Sequence, residues 1–217
     1  MNLKLTLALA AVLAVQQAAA PTVQVVLETE LGNITIEVDV VHAPVTAANF
    51  LKYVRGGFYD GGRFHRAVRP GTESRTDFPI EVIQAGINPA KAALAFSAIP
   101  LERTNVTGLK HVVGAISMAR DGPDSARSDF FICVRDQAEL DFGGRRNADG
   151  QGFAAFGRVV SGMHVVEKIQ AAPVREKTQT LAPPIRIVTA RAIDARREVS
   201  RVIEGLERAY RDGWGPR

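Results

Sequence analysis

A mainly β domain carrying a few helices is what this sequence predicts, and three stretches carry the prediction. Val25-Leu27 and Ile34-Ile36-Val38 alternate on either side of Gly32-Asn33, a turn dipeptide between two period-two runs that marks a hairpin within residues 23–41. Gly61-Gly62 permit a tight turn because positive φ costs glycine little, and Arg63-Phe64-His65-Arg66 leaves that turn as an alternating strand. Plain alternation puts Phe64 and Arg66 on one face and His65 on the other. Phe130-Phe131-Ile132-Cys133-Val134 follows a polar turn as an unbroken apolar run of the length of a buried strand.

The remaining elements are taken from the N-terminus onward. Met-Asn-Leu-Lys4, an apolar run over 5–15 and Gln16-Gln17-Ala18-Ala19-Ala20 follow one another in the order of a secretory signal. Residues 1–20 are therefore expected to direct export and be removed; an uncleaved anchor is the alternative, for which the run is short. Residues 44–55 place Val45, Ala48, Phe50, Leu51 and Val54 at helical spacing, with Pro44 in the first turn and Gly56-Gly57 beyond the last. Residues 69–78, polar with Pro70 and Gly71, read as a surface loop that either shapes access to the face bearing Arg66 or is neutral. Residues 88–107 read as loop, Gly114-Ala-Ile-Ser-Met-Ala119 as a strand and Asp121-Gly-Pro-Asp124 as a turn.

Residues 140–150 form a glycine-rich loop that lacks the Lys-Ser ending of a phosphate-binding loop. Residues 159–169, with Val160, Met163, Val166 and Ile169 on one side, predict a second helix. Residues 185–192 predict a closing strand. Beyond it, Val199, Val202, Ile203, Leu206 and Tyr210 predict an amphipathic helical extension over 193–217, packed on the domain or offered to a partner.

Composition narrows the function. With 217 residues, 46% of them hydrophobic, the chain has the material for one globular core. The formal charge of +4 is spread along the sequence without a dense basic block, so no nucleic-acid partner is expected. Loss of residues 1–20 would remove Lys4 and leave 26 basic against 23 acidic residues. The lone Cys133 excludes an internal disulfide and reads as a small core residue, and His42, His65, His111 and His164 lie apart without metal-ligand spacing. No metal and no cofactor are expected.

Five ordered blocks resemble the cyclophilin-type peptidyl-prolyl cis/trans isomerases. They are Phe64-His65-Arg66, Ile83-Gln84, Gly114-Ala-Ile-Ser-Met-Ala119, Ser128-Asp-Phe-Phe-Ile-Cys133 and Gly152-Phe-Ala-Ala-Phe-Gly157. The resemblance runs over residues 22–192 and implies a closed eight-stranded antiparallel β-barrel capped by two helices, with a peptide groove on its outside. It implies an enzyme that rotates Xaa-Pro bonds in proline-containing polypeptides, with catalytic Arg66 hydrogen-bonding the prolyl nitrogen and Gln84 holding the guanidinium. Phe131 would floor the proline pocket, with Met118, Val82, Leu140 and Phe153 around it, and the backbone at Ala119 and Arg120 would pair with the peptide.

Departures from the family pattern are Arg120, Glu139, the insertion before Ile80, and Glu81 near a position where relatives carry a pocket phenylalanine. The altered pocket leaves a peptide-holding module or chaperone with little turnover as the alternative. A bacterial, exported, periplasmic monomer is the expected setting.

Overall fold

A computed structural model describes residues 22–73 and 77–193. Eight strands, β1 (Thr22–Thr29), β2 (Gly32–Asp39), β3 (Arg63–Val68), β4 (Val82–Gly86), β5 (Ala115–Met118), β6 (Phe130–Cys133), β7 (Ala154–Ser161) and β8 (Thr180–Ile193), close into a barrel. Their order round the barrel is β1-β2-β7-β5-β6-β4-β3-β8, and the pairings are antiparallel. Helix α1 (Pro44–Arg55) and helix α2 (Met163–Ala171) pack on it. Short helical turns at Pro89–Leu94, Thr104–Thr107 and Ala138–Leu140 punctuate the long connections. The predicted helix over 193–217 and the leader over 1–20 lie outside the described residues, apart from Ile193, which ends β8.

The barrel interior is filled by the inward half of each strand: Val25, Leu27, Ile34, Ile36, Phe64, Phe130, Phe156 and Ile187 are fully buried. α1 adds Phe50, whose ring lies 5.5 Å from Phe130, edge-on, and 5.1 Å from Phe156. Each such aromatic contributes about 1.5–3 kcal/mol by leaving water. The exposed N-terminal amides of α1 are met from afar: Glu102 accepts from Val45 N (3.1 Å) and Thr46 N (2.7 Å), a carboxylate at the positive end of the helix dipole.

The structure corrects several expectations. In the first hairpin the turn is Glu30-Leu31, with Gly32 opening β2 at φ +128°, because Thr29 pairs with Gly32 and its hydroxyl donates to the Gly32 carbonyl. The buried face of α1 is Thr46, Ala47, Asn49, Phe50, Leu51, Tyr53 and Val54; Val45 lies exposed. The second helix starts at Met163, and Val159 and Val160 belong to β7, where Val159 pairs with Ile36. Gly162 makes the switch: it sits at φ +91°, and a Cβ there would lie 2.3 Å from the Asn33 carbonyl oxygen, so only glycine can turn the chain against β2.

Candidate functional site

Strand β3 does not alternate evenly. Phe64 pairs with Ala85 and Arg66 with Gln84, so His65 is the extra residue of a β-bulge. The bulge reverses the parity: Phe64 points into the barrel, and Arg66 stands on its outside with Gln84, not on the face of Phe64. His65 is left facing Asp129 at 3.7 Å; Asp129 lines the groove beside Arg66, and His65 does not.

Register then carries the outside face across the sheet. Arg66 lies opposite Gln84, Gln84 opposite Phe131, Phe131 opposite Ser117 and Ser117 opposite Ala155. Residues directly opposite on neighbouring strands share a face, so these positions form one lateral row. The Arg66 guanidinium is fixed at two points: Nε donates to Gln179 Oε1 at 2.7 Å and Nη1 to Gln84 Oε1 at 3.0 Å. Burial pushes Arg66 below its ordinary value, the positive charge of Arg146 adds to that, and Glu73 opposes it. Arginine starts so high that the group stays cationic.

Beside Arg66 lies a groove of about 790 Å³ whose lining includes Gln84, Ala119, Arg120 and Arg146. Its apolar part is Ile80, Val82, Phe131, Leu140 and Phe153, with Phe131 as the floor. Phe131 is backed by His111, stacked at 5.9 Å, and flanked edge-on by Phe153 at 5.3 Å. The buried His111 bonds Asp141 Oδ1 through Nδ1 at 2.8 Å and Ser117 Oγ through Nε2 at 3.0 Å, so its ring orientation is set from both sides. Burial alone would raise the Asp141 carboxyl; the bonds from His111 outweigh it and hold Asp141 below the usual carboxylate range.

Of the residues singled out in the sequence, Arg66, Gln84, Val82, Phe131, Ala119, Arg120, Leu140 and Phe153 converge on this groove. Met118 does not. It pairs with Phe130 and is buried in the barrel interior, because β5 turns Met118 inward with Ile116 and leaves Ser117 opposite Phe131. Arg120 is not a loose charge at the groove edge: its side chain is 1% exposed, bidentate to Asp149 at 2.8 and 2.9 Å, bonded to the Gly152 carbonyl and stacked over Phe153. It holds a pocket wall. Ala119 N–H is already donated to the Asp129 carbonyl, which narrows the backbone groups there that can meet a peptide.

Glu81 leaves the pocket to accept from Gln170 Nε2, and Ile80 provides the apolar wall. Sequence reasoning missed Ile80 and Gln179. Ile80 carried a signal, since it opens the apolar alternation Ile80-Val82; Gln179 sits in a turn before β8 and carried none. Cys133 is buried behind Val82 in the same cluster, and burial pushes its thiol far above the ordinary range, which makes it inert.

A closed barrel bearing on its outside a fixed guanidinium beside an apolar, aromatic-floored pocket defines a protein built to hold a small apolar group next to a planar amide. The chain belongs to the cyclophilin-type peptidyl-prolyl cis-trans isomerase family, whose model matches residues 24–192. It is 37% identical to peptidyl-prolyl cis-trans isomerase A of Dickeya dadantii over 184 residues, which is 81% of this chain and 87% of that one. It is 38% identical over 148 residues to a peptidyl-prolyl cis-trans isomerase of Acinetobacter baylyi, covering 68% and 71%. Its fold is similar to that of a Cryptosporidium parvum cyclophilin type peptidyl-prolyl cis-trans isomerase solved in the presence of the dipeptide Ala-Pro. The TM-score is 0.63 at 20% identity, over 79% of this chain and 99% of that one.

Proposed function

We propose that this protein accelerates cis/trans rotation about Xaa-Pro bonds in polypeptides, with Arg66 donating a hydrogen bond to the prolyl nitrogen as the bond twists. The barrier, about 18–20 kcal/mol, comes from delocalisation of the nitrogen lone pair into the carbonyl. In the planar amide that lone pair is a poor acceptor; in the twisted form the nitrogen is pyramidal and accepts well. A donor placed there stabilises the transition state more than either ground state. Two of the five guanidinium N–H groups are committed to Gln179 and Gln84, which aims the rest. The proline ring seats on Phe131 between Val82, Ile80, Leu140 and Phe153. No proton moves, so no pH-matched base is needed.

The observation that carries this reading is the doubly anchored guanidinium of Arg66 beside the pocket floored by Phe131. A protease-coupled assay on an Ala-Pro peptide tests it: the purified protein is expected to catalyse, and Arg66→Ala to fall toward the uncatalysed rate with its thermal midpoint unchanged. Equal rates for the two proteins would remove Arg66 from the mechanism. The alternative, a peptide-holding module with little turnover, rests on Glu81, the insertion before Ile80 and the C-terminal extension; that Ile80 lines the groove while Glu81 accepts from Gln170 favours turnover.

We also propose that residues 1–20 export the chain and that the mature protein, with its domain over 22–192 and the extension 193–217, acts as a monomer in a bacterial periplasm. The ordered charge, apolar run and small residues at the N-terminus support this, as does the single cysteine. Among the described residues no helix is long and apolar enough to cross a membrane. Mass spectrometry of periplasmic fractions is expected to show a species beginning just after Ala20; an unprocessed chain in the cytosol would overturn this.

A further inference from the structure

Between β3 and β4, Arg69, Glu73, Phe78 and Ile80 are pinned beside the groove. Arg69 donates to the Gln170 and Ala172 carbonyls at the end of α2, a cation at the negative end of a helix. Glu73 pairs with Arg146, which comes from the glycine-rich loop after β6, and the two side chains are only 7% and 12% exposed. Glu73 Oε2 also accepts from Ile80 N at 3.3 Å, and Arg146 Nη1 donates to the Phe78 carbonyl at 3.1 Å. Arg145 lies over the Phe78 ring at 4.1 Å. One carboxylate thus holds both an apolar wall of the proline pocket, Ile80, and a second guanidinium that lines the same groove as Arg66.

A near-buried ion pair contributes little net stability, because desolvation cancels much of the attraction. Its placement matters more. Arg146 lies close enough to Arg66 to lower that group's proton affinity, and Glu73 close enough to raise it. We propose that the Glu73–Arg146 pair determines substrate specificity: Glu73 neutralises Arg146 at the pocket mouth, so that the protein accepts proline sites flanked by either charge, and the balance between the two side chains sets that tolerance. Arg146, the member of the pair that lines the groove, meets the residues flanking the rotating bond, and Glu73 acts on them through it. This rests on the isomerase reading above.

The test is kcat/KM on Xaa-Pro peptides carrying Glu, Gln or Lys at each position flanking the bond. In Glu73→Gln the negative charge that Glu73 sets against Arg146 is removed, and the ratio of Glu to Lys peptides at the flank nearest the pair is expected to rise about fivefold, the size of one unit charge acting through a partly screened mouth. Arg146→Gln is expected to move the ratio the other way by a similar factor. The double variant Glu73→Gln/Arg146→Gln should return it close to the wild-type value.

Salt near 0.5 M should shrink the shifts, which loss of packing would not do. If both single variants lower every peptide by the same factor, the pair is a structural pin and the inference is overturned. If the wild-type protein isomerises no peptide, it is the function that fails. The same charge series, read as peptide affinity by fluorescence titration, then decides the inference, with the same directions expected.

Discussion

Phe130 and Phe131 are neighbours on β6 and end in opposite environments. Phe130 is sealed in the barrel among Phe50, Tyr59 and Phe64, a cluster of edge-on and tilted rings. The Tyr59 hydroxyl there donates to the Ser128 carbonyl at 2.6 Å. Phe131 faces outward and is held from behind by a polar chain, His111 with Asp141 and Ser117, and from the side by Phe153 under Arg120. The interior is packed ring against ring, whereas each groove aromatic rests against a charged or hydrogen-bonded side chain, His111 behind Phe131 and Arg120 over Phe153. Strand alternation lets a four-residue strand serve both ends at once.

The comparison breaks most visibly under truncation. Phe130→Ala should cost about 3–5 kcal/mol in urea denaturation, the range for a buried phenylalanine leaving a cavity, while the fraction still folded keeps its kcat/KM. Phe131→Ala should do the reverse, losing most of kcat/KM for a smaller stability cost, since its site is already open to a ligand. Similar stability losses in both variants would mean that the groove is part of the core.

Next in size is the guanidinium itself. Arg66→Ala should lower kcat/KM about a hundredfold, near 2.7 kcal/mol, the range for removing one preorganised donor, with unfolding unchanged. Arg66→Lys should recover little, because an ammonium cannot span Gln179 and Gln84 in one plane. An Arg66→Lys variant at wild-type rate would show that charge alone suffices.

How far the sequence reveals this comparison differs by region. The interior is legible in part: apolar alternation marks Ile34, Ile36 and Val38 as one strand face, and the unbroken run of β6 marks a buried strand, since burial is the strongest periodic signal a chain carries. The groove was legible only in part. Arg66, Gln84 and Phe131 were found through ordered blocks, yet even alternation placed Arg66 on the face of Phe64, because a bulge is a one-residue insertion that no local pattern announces. Met118 was assigned to the pocket because an apolar residue looks the same on either face of a strand buried on both. Gln179 reaches Arg66 from 113 positions away, a contact that only barrel closure creates.

Gln179 therefore gives a sharper test of how the groove is held. Gln179→Ala should reduce kcat about tenfold with KM little changed, since the proline pocket stays intact while the donor loses one of its two anchors. The backbone bond from Ala67 N to the Gln179 carbonyl, 2.9 Å, survives the change, so the fold should not suffer. Gln179→Glu, which keeps an acceptor for Arg66 Nε, should restore most of the rate. Equal losses in the two variants would point to damage in the turn before β8.

The smallest effect separates the two regions by pH. Asp141 has a folded-state value below its unfolded one, so its contribution to stability is full above the unfolded value, about 3.9, and is lost as pH falls through the folded value. Asp141→Asn should thus be less stable than wild type by about 1–2 kcal/mol at pH 7, with the gap closing as acid protonates the wild-type carboxylate. Freed from Asp141, His111 no longer fixes the stack under Phe131, so KM for the Ala-Pro peptide should rise at pH 7 while kcat, set by Arg66, holds. The interior offers no matching acid response, since burial pushes Tyr59 well above its ordinary value and keeps it neutral throughout. An Asp141→Asn stability deficit that stays constant down to about pH 3 would mean that the carboxylate is not what backs the pocket floor.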